Sequence, residues 1–151
     1  MSCSNYRIIE MQNDAIGAVA VNGLLPLGNV TRRISTTTGS GVPFEVSSSG
    51  ADTIQLTSKG YYKAIYNASL TVGGAGAVTV SMLVNGVTVY SVTENAAGAG
   101  TVNLTLIKEI RVFGNCANMP TNCPARVQFQ LSGTAVTGGT SNVIIDSCVN
   151  G

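Results

Sequence analysis

Between Gly60 and Val112 apolar and polar residues alternate almost without interruption, and a period of two over such a length points to antiparallel sheet. GYYKAIYNASLTV puts Tyr62, Ala64, Tyr66, Ala68, Leu70 and Val72 on one face and Lys63, Asn67, Ser69 and Thr71 on the other, with Ile65 as the exception. AVTVSMLV and VTVYSVTEN then flank Asn85-Gly86, the pair best suited to a two-residue type I′ turn, which needs positive φ at both central positions. That turn predicts Val84 opposite Val87, Met82 opposite Val89 and Val80 opposite Ser91. After the flexible connector AAGAG at 96–100, TVNLTLIKEIRVF places Val102, Leu104, Leu106, Ile110 and Val112 inward. Lys108 interrupts that series and marks a candidate bend or bulge. Helical spacing also fits Leu104–Val112, but its Thr and Val content favours a strand.

Further strand candidates are AIGAVAV at 15–21, VTRRI at 30–34, VPFEV at 42–46, TIQL at 53–56, RVQFQL at 126–131 and NVIIDSCV at 142–149. No helix of three turns with a convincing cap is evident. The expected class is all-β, an antiparallel sandwich or jelly roll. Residues 1–14 fit an arm or a short helix. The seam TTTGSG at 36–41 divides an N-terminal arm and anchoring segment, 1–41, from a jelly-roll domain, 42–151.

Function is narrowed mainly by what is missing. The 151 residues include no histidine, which removes Ser–His–Asp and Cys–His nucleophile systems and His metal ligation. The seven acidic residues are scattered singly, with no convergent pair for glycoside hydrolysis, so no enzyme, cofactor or metal is expected. Charged residues are 10% of the chain and the net charge is +1, so neither nucleic acid nor an anionic membrane is an expected partner. No 18-residue apolar run is present to span a bilayer as a helix. The first residues lack a basic region followed by an apolar stretch, so synthesis in the cytoplasm is expected. Glycine clusters at 73–76 and 98–100 open no helix and read as linkers. Asn-X-Ser/Thr triplets at Asn29, Asn67 and Asn103 are chance matches in a Thr-rich chain. Cys116 and Cys123 flank a loop and are either a disulfide or two free thiols. Cys3 and Cys148 lie near the ends, and a second bridge there requires the first and last strands to be neighbours. No C-x₂-C pair supports zinc.

From VPFEV onward the chain resembles a tumour-necrosis-factor-like jelly roll of the kind found in phage virion proteins. The residues that carry the resemblance are PFEV at 43–46, TIQLTSKGYYKAIYNASLTV, LVNGVTVYSVTEN, TVNLTLIKEIRV, a Cys-containing loop, VQFQLSGTAV and the closing NVIID. It is also similar to C-terminal globular domains of collagen-like bacterial surface proteins. GLLPLGNVTRRIS at 23–35 resembles the lead-in of small decoration or head-fibre proteins of phages from Gram-positive gut bacteria. One departure is KEIRV at 108–112, where a Gly-Asp turn is often seen.

The resemblance implies a homotrimer located in the virion, bound to a major capsid or other virion protein through its N-terminal segment. Candidate attachment residues are Tyr6, Ile8, Leu24, Leu25, Arg32 and Arg33. Several strands carry apolar residues beyond those the monomer core needs, and Tyr61, Ile65, Leu83, Tyr90, Ile107 and Phe113 are the candidate trimer contacts. The competing reading is a tail-fibre module that recognises a host surface glycan; against it stand the absence of tryptophan and the placing of most tyrosines in strands. A bacterial surface or spore-coat domain would normally follow collagen-like repeats or a signal peptide.

Overall fold

A computed structural model describes residues 5–36, 45–46, 52–56, 60–112 and 125–149, with only the backbone described at 5–6, 35–36, 45–46 and 148–149. Its strands are β1 (Asn5–Asn13), β2 (Asn29–Thr36), β3 (Glu45–Val46), β4 (Ile54–Leu56), β5 (Gly60–Val72), β6 (Gly76–Val84), β7 (Val87–Ala96), β8 (Gly100–Val112), β9 (Ala125–Ser132) and β10 (Gly138–Val149). No helix occurs among the described residues. The strands form two five-stranded antiparallel sheets, β2-β1-β10-β5-β8 and β3-β4-β9-β6-β7.

The long alternating segment behaves as its pattern dictates. Tyr62, Ala64, Tyr66, Ala68, Leu70 and Val72 of β5 are buried, and β8 answers with Val102, Leu104, Leu106, Ile110 and Val112. The β5–β8 register runs unbroken from Gly60↔Val112 to Val72↔Gly100. The bend or bulge expected at Lys108 is therefore absent. Lys108 lies opposite Ala64 on the inward side yet stays exposed, because β8 is an edge strand. Opposing side chains from the second sheet, Val78, Val80, Met82, Val127, Phe129 and Leu131, complete the core. The Tyr66 and Phe129 rings stack across the two sheets with centroids 4.1 Å apart, an arrangement that adds to simple area burial.

The Asn85-Gly86 turn forms as expected, with φ of 53° and 82° at its two central residues. Beyond Val84↔Val87 the register departs from expectation. A bulge lets Leu83 pair with Thr88 but Met82 with Tyr90 and Val80 with Val92, so Val89 is the extra residue. Tyr90 and Val92 consequently take the inward side, where Val89 and Ser91 were expected.

The N-terminal region differs most from its sequence reading. β1 lies between β2 and β10 and pairs with β10 from Asn5↔Val149 to Asn13↔Ser141. The link from β1 to β2 crosses to the second sheet. Leu25 N donates to Phe129 O (2.8 Å), Leu131 N donates to Gly23 O (3.0 Å), and Val19 bridges Val136. Ile9, Met11, Ile16, Val19, Leu25 and Leu27 enter the core. Residues 5–36 thus pair and pack with the sandwich, while the seam expected at 36–41 lies, beyond Thr36, outside the described residues. The strand expected at 15–21 is this irregular link, tied by Ile16 N to Gly139 O of β10 (2.9 Å) and by the isolated bridge of Val19 to Val136. The physical cause is that Leu25 and Leu27 bury on a connection, where no strand or helix period exposes the pattern.

Candidate functional site

The outer face of the β2-β1-β10-β5-β8 sheet carries the most distinctive surface. Register places Ile65 of β5 between Ile144 of β10 and Ile107 of β8. Ile65 and Ile144 are half-buried, while Ile107 is 52% exposed and Tyr61, two rungs away, 62%. The Arg111 guanidinium sits 5.0 Å from the Tyr61 ring centroid, a cation–π contact between β8 and β5. Between these apolar groups Lys63 lies opposite Asp146 on one side and Glu109 on the other. At the far end of the row Glu10 meets Arg32 at 3.7 Å and accepts from Asn142 Nδ2 at 3.0 Å. Beyond Ile65 the face turns fully polar. Thr105 Oγ1 donates to Asn67 Oδ1 (2.7 Å) and Ser69 Oγ donates to Asn103 Oδ1 (2.6 Å).

A second apolar patch lies on the other sheet. β7 is an edge strand, and on it Val87, Val89 and Tyr90 are 65%, 36% and 41% exposed. The outer face of β6 and β7, opposite the side Tyr90 takes, carries a hydroxyl ladder, Thr79 with Thr93 (2.7 Å) and Ser81 with Ser91 (2.8 Å).

Of the candidate trimer contacts, Tyr61, Ile65 and Ile107 share the first face. Tyr90 belongs to the β7 edge instead. Leu83 is buried at 8% exposure on β6 and offers little contact area, which corrects its selection as a surface contact. Phe113 lies outside the described residues. Ile144 was missed, although the run Val143-Ile144-Ile145 requires one member to face away from a core that takes the other two. Among the attachment candidates, Ile8 and Leu25 are 2% and 0% exposed and are structural rather than available to a partner. Leu24 is half-buried in its bridge to Gln130, while Arg32 and Arg33 are exposed on edge strand β2. The Tyr6 side chain, Cys116 and Cys123 lie outside what is described. β1 and β10 are neighbours, as a bridge between the chain ends requires, but Cys3 and the Cys148 side chain are likewise not described.

Polar groups also enter the core. Arg7 is 5% exposed and its Nη1 donates to the Tyr62 hydroxyl at 3.0 Å. The Tyr66 hydroxyl is buried with no partner in hydrogen-bonding geometry. Burial holds this phenol well above the ordinary tyrosine pKa, against a smaller opposing effect of the Ser141 hydroxyl. No cluster of three or more acidic, Cys or His side chains suited to a metal occurs among the described residues.

This strand order and packing match known structures. The Eiger TNF from S. frugiperda is similar over 99% of this chain and 96% of its own, with a TM-score of 0.64 at 7% identity. The globular domain of zebrafish complement 1qA is similar over 95% and 98%, with a TM-score of 0.61 at 6% identity. The PRD1 vertex protein P5 aligns over 99% and 100% at 14% identity, but its TM-score of 0.47 is too low to bear on this chain. No family model and no curated protein matches the sequence. The chain has the tumour-necrosis-factor-like jelly-roll fold, as the resemblance of its strands implied.

Proposed function

We propose that this chain is a non-catalytic structural protein of a virus particle, a homotrimer that decorates the capsid or forms a head fibre. The observation that carries self-association is the presence of two different exposed apolar patches on one chain. Ile65, Ile107, Ile144 and Tyr61 form one on a sheet face; Val87, Val89 and Tyr90 form the other on an open edge. A head-to-tail contact uses two unlike patches, one from each copy, and closes into a ring when the rotation permits. Lys63, Glu109 and Asp146 supply the charged rim usual around such an apolar centre. Three as the number of copies, and the virion as the location, rest on the resemblance of residues 42–151 to phage jelly rolls. With Ile8 and Leu25 buried, attachment to another virion protein falls to the exposed β2 edge, where Arg32 and Arg33 stand. The absence of histidine supports a role without catalysis.

The experiment is to purify particles, identify the chain by mass spectrometry and locate it by cryo-electron microscopy. Many copies on the capsid accord with the proposal. A few copies at the tail, or none in the particle, contradict it. A tail location would instead favour the glycan-recognising reading, for which the polar end of the sheet face is the relevant observation.

A further inference from the structure

At the end of the sheet face away from Tyr61, Gln12, Asp14, Asn67, Ser69, Thr140 and Asn142 line a shallow depression of about 270 Å³. Sites for drug-sized ligands begin near about 300 Å³, so this one suits a single small ring. Every residue that lines it is polar in type, their methylene and methyl carbons make up much of its surface, and Asp14 is the one charge in it. Several of these side chains are held by hydrogen bonds to one another or to their neighbours on the sheet. Thr105 Oγ1 donates to Asn67 Oδ1, which turns the Asn67 amide so that its NH₂ serves as the donor, and Ser69 Oγ is held by the neighbouring Asn103 Oδ1. Asn142 spends its NH₂ on Glu10 and keeps Oδ1 as an acceptor. Gln12 Nε2 donates to Asp14 Oδ1 (3.2 Å), leaving Gln12 Oε1 and the other Asp14 oxygen to accept. Asn13 Oδ1 accepts from Ala15 N (3.0 Å) and holds the Asp14 turn in place.

The depression thus offers an amide donor at Asn67 beside carbonyl and carboxylate acceptors at Asn142, Gln12 and Asp14. A vicinal diol needs such a set, because each hydroxyl both gives and takes a hydrogen bond. We infer that this depression binds a neutral sugar ring. The Asp14 carboxylate disfavours acidic sugars and anions. The site would provide the recognition element for the glycan-binding reading, while leaving trimer formation an independent matter.

The test is saturation-transfer NMR and calorimetry on the full chain, using methyl glycosides of glucose, galactose and N-acetylglucosamine, with N-acetylneuraminic acid as the acidic comparison. At least one neutral glycoside should bind with a dissociation constant on the order of 1 mM. Asn67→Ala and Asp14→Asn should each weaken it by up to roughly tenfold, the range for one net hydrogen bond. Asp14 sits in an exposed turn, so its variant folds even if Asn67→Ala does not. The inference is overturned if no neutral glycoside binds, if the acidic sugar binds better, or if a folded Asp14→Asn chain binds unchanged. Light scattering on the same samples separates this failure from failure of the trimer: a parent chain that keeps the trimer mass but binds no neutral glycoside refutes only the site.

Discussion

Replacing Ile9 by alanine asks whether the N-terminal region is part of the fold or an appendage. Ile9 is 0% exposed on β1, with Arg33 of β2 on one side and Ile145 of β10 on the other. The substitution removes three carbons, each worth about 0.8 kcal/mol of transfer free energy, or ~2.4 kcal/mol together. Incomplete collapse around the vacated volume raises the expected loss to about 3 kcal/mol, within the usual range for such truncations. Arg33→Ala on the same rung, at an exposed side chain, should change stability by no more than about 0.5 kcal/mol. Urea denaturation reads the difference. With a slope of about 2 kcal/mol/M, the Ile9→Ala midpoint should fall by roughly 1.5 M and that of Arg33→Ala should hardly move. Protein concentration must be held constant, since self-association adds stability by mass action. An Ile9→Ala midpoint equal to that of the parent would refute the placement of β1 inside the sandwich.

Tyr66→Phe removes a buried hydroxyl that has no hydrogen-bond partner, so it should leave stability unchanged or raise it by about 1 kcal/mol; a clear loss in the same urea assay would show that the hydroxyl is satisfied. Because burial raises the Tyr66 pKa in the fold, stability is unaffected below the ordinary tyrosine value near about 10 and declines above it, as the unfolded chain ionises first. Melting curves should show that alkaline decline in the parent and less of it in Tyr66→Phe. Gly28 and Gly86 have φ of +83° and +82°, yet a Cβ on Gly28 would overlap the Gln12 carbonyl oxygen whereas one on Gly86 meets nothing within 4 Å. Gly86→Ala should therefore cost about 1 kcal/mol and Gly28→Ala clearly more, and equal thermal shifts would contradict the close approach at Gly28.

Long alternating strands were legible in the sequence because every second residue of β5 and β8 meets the core, so pattern and burial coincide over 13 residues each. The Asn85-Gly86 turn was legible because few other pairs accept two positive φ values in succession. The register beyond it was not: a bulge at Val89 depends on how β7 twists at an open edge, and no residue type encodes it. The place of β1 was hidden for a related reason. Its neighbour β10 lies at the other end of the chain, and Leu25 and Leu27 bury on a connection without a period. Of the surface, Tyr61, Ile65 and Ile107 could be found as apolar residues at outward positions. Ile144 needed the register to choose between adjacent isoleucines, and the polar depression needed β1, β5 and β10 brought together.

Self-association through two unlike patches is the claim on which the account turns, and the molar mass in solution measures it. Light scattering should return three times the 15.4 kDa chain mass for the parent and a single chain for Ile107→Lys, which places a charge in the exposed apolar stripe while leaving the core intact. A parent that runs as a 15.4 kDa monomer across concentrations would contradict it.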